Sequence, residues 1–183
     1  MTTFLLDQNV NKKSLAETCN REGFAHVRRF PSEWKMQAGG FKDPDLLQKV
    51  MVGNQPLLTN DRNIAREHAT IIPPINPGII IVGFCKGTIK PLGKGDIERI
   101  LRQFKQSFPQ WHVTTWNNSI VEITQKHAEV WHVETGDLRS DDYISFDELN
   151  WSGRLAGVLE KNAARRPPSI ADHTHRPNDN RSD

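Results

Sequence analysis

Apolar and polar positions along the chain alternate between short apolar runs and longer stretches with the helical period. Thr3 to Asp7, Phe24 to Arg28, Gln55 to Thr59 and Ile79 to Gly83 read as strands. The last is nearly all aliphatic, as a strand buried on both faces of a parallel sheet would be. Between them, Asn11 to Glu22 reads as a helix turning Leu15, Ala16 and Cys19 inward, with Ser14 and Glu17 at capping-box spacing and Gly23 as its stop. Pro31 to Ala38 reads as a short helix with Trp34 inward. Pro44 suits the first turn of the next helix, with Asp43 as its cap and Leu46, Leu47, Val50 and Met51 on the core face. A turn at Asn60 to Asn63 leads into a short helix from Ile64 to Ala69. Gly95 to Phe108 sets Ile97, Ile100, Leu101, Phe104 and Phe108 on one stripe. Strand and helix in alternation predict an α/β fold with parallel strands and right-handed crossovers.

From Trp111 the pattern changes. Trp111 to Trp116, Ile120 to Thr124 and Glu129 to Val133 read as short strands of an antiparallel hairpin or meander. Trp111, Trp116 and Trp131 are candidates for stacking on bases, but aromatic residues in short strands mostly pack, and packing is the reading favoured here. Trp151 to Asn162 reads as a further helix with Leu155, Val158 and Leu159 on one face. Residues 163–183 are rich in Pro, Arg, Asn and Asp, hold one large aliphatic residue, Ile170, and read as a disordered tail. The expected organisation is a domain over residues 1–110, a hairpin-and-helix extension over 111–162 and a tail over 163–183.

Composition narrows the class. With 183 residues, 36% of them hydrophobic and 25% charged, the chain has the length of one domain with an added piece. No apolar run approaches the roughly 20 residues of a membrane span, and the N-terminus does not read as an export leader. Cys19 and Cys85 read as reduced core or near-core residues, which places the chain in the cytoplasm. A net charge of +2 does not by itself argue for nucleic acid.

The candidate chemistry is acidic. Phe4-Leu5-Leu6-Asp7-Gln8-Asn9 and Leu57-Leu58-Thr59-Asn60-Asp61-Arg62-Asn63 each end an apolar run in an acid and an amide. Adjacent strands would bring Asp7 and Asp61 to one edge of the sheet, where open α/β proteins bind ligands. Asp43, of Asp43-Pro44-Asp45-Leu46-Leu47, opens the helix between them. Three carboxylates on one rim would suit a hard divalent cation. The plainer reading is that Asp43 caps its helix and the others shape turns. His173 and His175 in the tail form a weak metal pattern without further ligands.

In order and spacing, these three acidic segments resemble the motifs of PIN-like domains, with the nearest likeness to the short bacterial PIN-like proteins that act as toxins of toxin-antitoxin pairs. The resemblance spans residues 3–108, and Pro77-Gly78-Ile79-Ile80-Ile81-Val82 continues it. It implies a three-layer α-β-α domain with a mostly parallel central sheet and a ribonuclease dependent on Mg²⁺ or Mn²⁺. It further implies that Asp7, Asp43 and Asp61 hold the metal directly or through water, and that Asn9 and Asn63, with Asn60 and Lys12, orient ligands or touch phosphate. Position 8 is Gln where the short relatives usually carry Glu. Asp45, then Glu33 and Glu67, are the candidates for a fourth acid. RNA is the implied substrate, an antitoxin protein and a second copy of the chain are the implied partners, and no membrane is involved. Two alternatives stand beside it. One is a PIN-like module that binds RNA or protein without catalysis. The other is a phosphatase of the dehalogenase type with Asp7 as nucleophile, a family that wants Asp where this chain has Asn9.

Overall fold

The computed structural model describes residues 3–7, 10, 13–21, 26–29, 42–83 and 92–166. The expected helix over Pro31 to Ala38 lies outside these residues, as do Gln8, Asn9, Lys12, Glu33, Cys85 and positions 167–183. The described strands are β1 (Thr3–Leu6), β2 (His26–Arg28), β3 (Leu57–Thr59), β4 (Ile79–Val82), β5 (Ile120–Ile123), β6 (His127–Glu134) and β7 (Asp137–Ser145). The helices are α1 (Lys13–Arg21), α2 (Asp43–Gly53), α3 (Ile64–Glu67), α4 (Lys94–Ser107) and α5 (Trp151–Ala163). All seven strands join one sheet in the order β2-β1-β3-β4-β5-β6-β7. The first five run parallel, and β6 and β7 continue antiparallel. The fold is α/β with a mostly parallel sheet.

Successive residues of a strand face opposite sides, so each central strand feeds two cores. Phe4, Leu6, Leu58, Ile80, Val82, Val121 and Ile123 face α1, α4 and α5. Leu5, Leu57, Ile79, Ile81 and Ile120 face α2 and α3. This double burial is why β4 reads as unbroken aliphatics, and it makes the molecule three layers deep.

Several expectations change. The helix over Asp43 begins one residue earlier than its sequence indicates: Lys42 is the extended N-cap, φ −81° and ψ 153°, and its carbonyl accepts from Leu46 N at 3.0 Å. Asp43 is therefore the first helical residue and not the cap, which leaves its carboxylate to face other groups. Trp111 to Trp116 is not a strand. Pro109–His112 forms a 3-10 turn, and the chain folds back so that Trp116 Nε1 donates to the Trp111 carbonyl at 3.1 Å. Aromatic packing explains the fold-back: Trp111 stacks on Phe4 with ring centres 5.6 Å apart, and Phe104 and Trp116 meet it edge-on. Residues 120–145 form the expected meander, with an added strand, β7. That strand is an exposed, charged edge with no apolar alternation to betray it. The β6-β7 turn has positive φ at Thr135 and Gly136, the geometry of a tight hairpin turn. The stretch expected as an extension is thus built onto the main sheet, through β5 paired parallel with β4.

Candidate active site at the C-terminal rim

Register decides what meets at the rim. Leu6 pairs with Leu58, so Asp7 stands opposite Thr59; Thr59 pairs with Ile81, and Ile81 with Glu122. Asp7, Thr59, Ile81 and Glu122 therefore form one row across β1, β3, β4 and β5 on the side covered by α2 and α3.

Asp7 is 1% exposed. Thr59 Oγ1 donates to Asp7 Oδ2 at 2.7 Å, and the same hydroxyl oxygen accepts from Asp61 N at 3.0 Å. Asp61 Oδ1 in turn accepts from Asn63 N at 2.9 Å, an Asx turn that fixes the carboxylate at the head of α3. One hydroxyl thus couples the two expected aspartates. Asp43 approaches from α2. Burial holds its carboxyl above the usual carboxylate range; the Asp61 and Glu67 carboxylates push it further up, and His68, Nε2 at 3.9 Å from Oδ2, pulls it back. The three aspartates therefore share one end of the sheet: Asp7 and Asp61 are linked through Thr59, and Asp43 lies in the field of Asp61.

The remaining expected residues scatter. Asn60 is half-buried in the turn, and Asn63 is exposed as the N-cap of α3. Asp45 is exposed and lines a separate groove with Gln48, Met51 and Ile71. Of the two described candidates for a fourth acid, Asp45 and Glu67, it is Glu67 that acts on Asp43.

Three contributors were missed in the sequence. Thr59 reads in the sequence only as the end of a strand, although a hydroxyl between two rim acids is a natural donor to one of them. His68 follows from Glu67 with no pattern of its own. Glu122 reads in the sequence as part of an antiparallel extension, yet the parallel pairing of β5 carries it to this rim. Its side chain is 2% exposed, and Arg62 Nε stands 2.6 Å from Oε1, out of line for a hydrogen bond, so compensation is mainly by charge. Gly83, two residues beyond Ile81, the partner of Glu122, has no side chain, and a methyl group there would collide with Glu122 Oε1. Three strand spacings separate Glu122 from Asp7, about 14 Å, too far to share one ion.

Hard carboxylate oxygens fit Mg²⁺ or Mn²⁺, and Mg²⁺ is commonly held by one or two carboxylates, with water and substrate phosphate completing its shell. Among the described residues no group of three or more His, Cys, Asp or Glu is arranged to hold a metal ion, the expected trio of Asp7, Asp43 and Asp61 included. Comparison with family models, curated proteins and solved structures finds no match to this chain. No helix among the described residues is long and apolar enough to cross a membrane.

Proposed function

We propose that the chain is a PIN-like, divalent-metal-dependent ribonuclease with its active site on the rim of Asp7, Asp43 and Asp61. One observation carries the reading: the hydrogen-bonded chain from Asp7 through Thr59 to the Asp61 amide, set beside a carboxyl on Asp43 that burial and then Asp61 push upward. The Asp43 and Asp61 carboxylates repel one another unless a proton or a cation lies between them. Asp43 and Asp61 would hold Mg²⁺ or Mn²⁺ together with RNA phosphate, and Asp7 would support them from its buried position. Bound there, the cation would acidify a water molecule and offset charge on the phosphoryl oxygens. Thr59 orients the Asp7 carboxylate, and the Asn63 amide fixes Asp61. His68 tempers the charge on Asp43. Control by a neutralising protein partner, as in toxin-antitoxin pairs, belongs to the same proposal.

The test is cleavage of single-stranded RNA by the full chain. Activity should require Mg²⁺ or Mn²⁺, disappear with chelator, and be lost in Asp61→Asn while the variant still folds. A second reading, a PIN-like module that binds RNA or protein without cutting, is favoured by the lack of a three-ligand group among the described residues. RNA binding without metal-dependent cleavage would establish it.

A further inference from the structure

Between α3 and the β6-β7 hairpin lies an open cavity of about 490 Å³, walled by Thr70, Trp131 and Leu138 and rimmed by Arg66, Glu67 and Asp137. Its volume falls in the range of small-molecule sites. Trp131 differs from the other tryptophans of this half: Trp111 and Trp116 are 1% exposed, whereas Trp131 packs against the core with one side and keeps the other partly open. The Arg66 guanidinium lies 5.6 Å from the centre of its ring. The open face of Trp131 is thus covered by a flexible, exposed cation, which a stacking ligand displaces from the ring.

That combination selects its occupant. The lining sets one cation, Arg66, against two acids, Glu67 and Asp137, so selection rests on where each charge lies, and a single aromatic ring makes no cage for a cationic ligand. A flat, neutral ring attached to an anion satisfies both groups: the ring stacks on Trp131, and the anion meets the guanidinium. Nucleotide bases fit this description, and stacking on an aromatic side chain is how single strands are commonly held. Glu67 and Asp137 at the rim accept hydrogen bonds from exocyclic amino groups, which favours adenine, cytosine and guanine over uracil. Position agrees. Arg66 and Glu67 belong to the helix that begins just after Asp61, so the cavity lies within about two helical turns of the acidic rim along the chain.

We infer that the cavity between α3 and the β6-β7 hairpin is a base subsite for single-stranded RNA, with Trp131 as the stacking platform and Arg66 as its cationic cover. The inference rests on the ribonuclease reading for its choice of RNA, but it has a readout of its own. Binding is measured by fluorescence anisotropy on the full chain carrying Asp61→Asn, with Mg²⁺, using a labelled hexameric oligoadenylate and a labelled abasic oligomer of the same length. The oligoadenylate should bind roughly tenfold more tightly than the abasic strand. Trp131→Leu should erase that preference, Trp131→Phe should keep most of it, and the exposed Arg66→Ala should weaken both probes without disturbing the melting temperature. Equal binding of the two probes, or an unchanged preference in Trp131→Leu, overturns the subsite. Base-dependent binding by a chain that never cuts RNA would sustain the subsite and remove the ribonuclease reading. Cleavage with base-independent binding would do the reverse.

Discussion

Thr59 Oγ1 donates a 2.7 Å hydrogen bond to Asp7 Oδ2 across the β1-β3 pair, joining residues 52 positions apart in the chain. The same oxygen accepts from Asp61 N, so one hydroxyl orders both acids. Replacing it by an isosteric methyl leaves a buried carboxylate short of a donor. Thr59→Val should lower stability by about 1 to 3 kcal/mol in chemical denaturation. Under the proposed function, metal affinity or RNA cleavage should fall roughly 10- to 100-fold. Thr59→Ser, which keeps the hydroxyl, should retain most of both.

Asp43 gives a pH signature. Its carboxyl is raised in the folded protein by burial and by Asp61, so the folded state binds its proton more readily than the unfolded chain does. The stabilising contribution is full below the ordinary aspartate range and is lost as pH rises through the raised folded value. Asp43→Asn should therefore melt higher than the parent at neutral pH, with the gap closing in acid, and added Mg²⁺ should stabilise the parent alone. Equal melting curves from pH 3 to pH 7 would show that Asp43 feels no neighbouring charge.

Arg62 is the cation facing the buried Glu122. Removing it leaves a carboxylate out of water with little compensation, so Arg62→Ala should cost about 3 kcal/mol, at the low end for buried pairs because the arginine is one-third exposed. Arg62→Ala combined with Glu122→Gln should recover most of that loss. A double-mutant cycle in urea measures the coupling, and additive losses would mean the pair does not interact.

A second polar network fixes α5 to the sheet. Asn162, fully buried, donates to Asp141 Oδ2 at 2.8 Å and to Ser119 Oγ at 3.2 Å, while its carbonyl accepts from Asn118. His132 and Arg165 reach the same Asp141. Asn162→Ala should destabilise by about 2 kcal/mol and speed amide exchange in α5 before that in β4. Uniform loss of protection across the sheet would argue that the helix end is not a separate unit.

The local order of the chain was legible because each element carries its own period. The aliphatic run of β4 and the stripe from Ile97 to Phe108 both report conditions imposed within a few residues. Sequence alone also pointed to Asp7, Asp43 and Asp61 as one group, since strand ends and helix starts in an α/β alternation face a common rim. What it did not contain is register and partner choice. Whether Ile120–Ile123 continues the parallel sheet or belongs to a separate hairpin depends on its contact with β4, some 40 residues away, and that contact brings Glu122 to the rim. Thr59 became the bridge between two acids because β1 and β3 pair with Asp7 opposite it, and Trp111 left its expected strand because Phe4 and Phe104 offered rings to pack on. Periodicity is written into neighbouring residues; the meeting of distant ones is settled by close packing of the folded chain, and there only the tertiary structure decides.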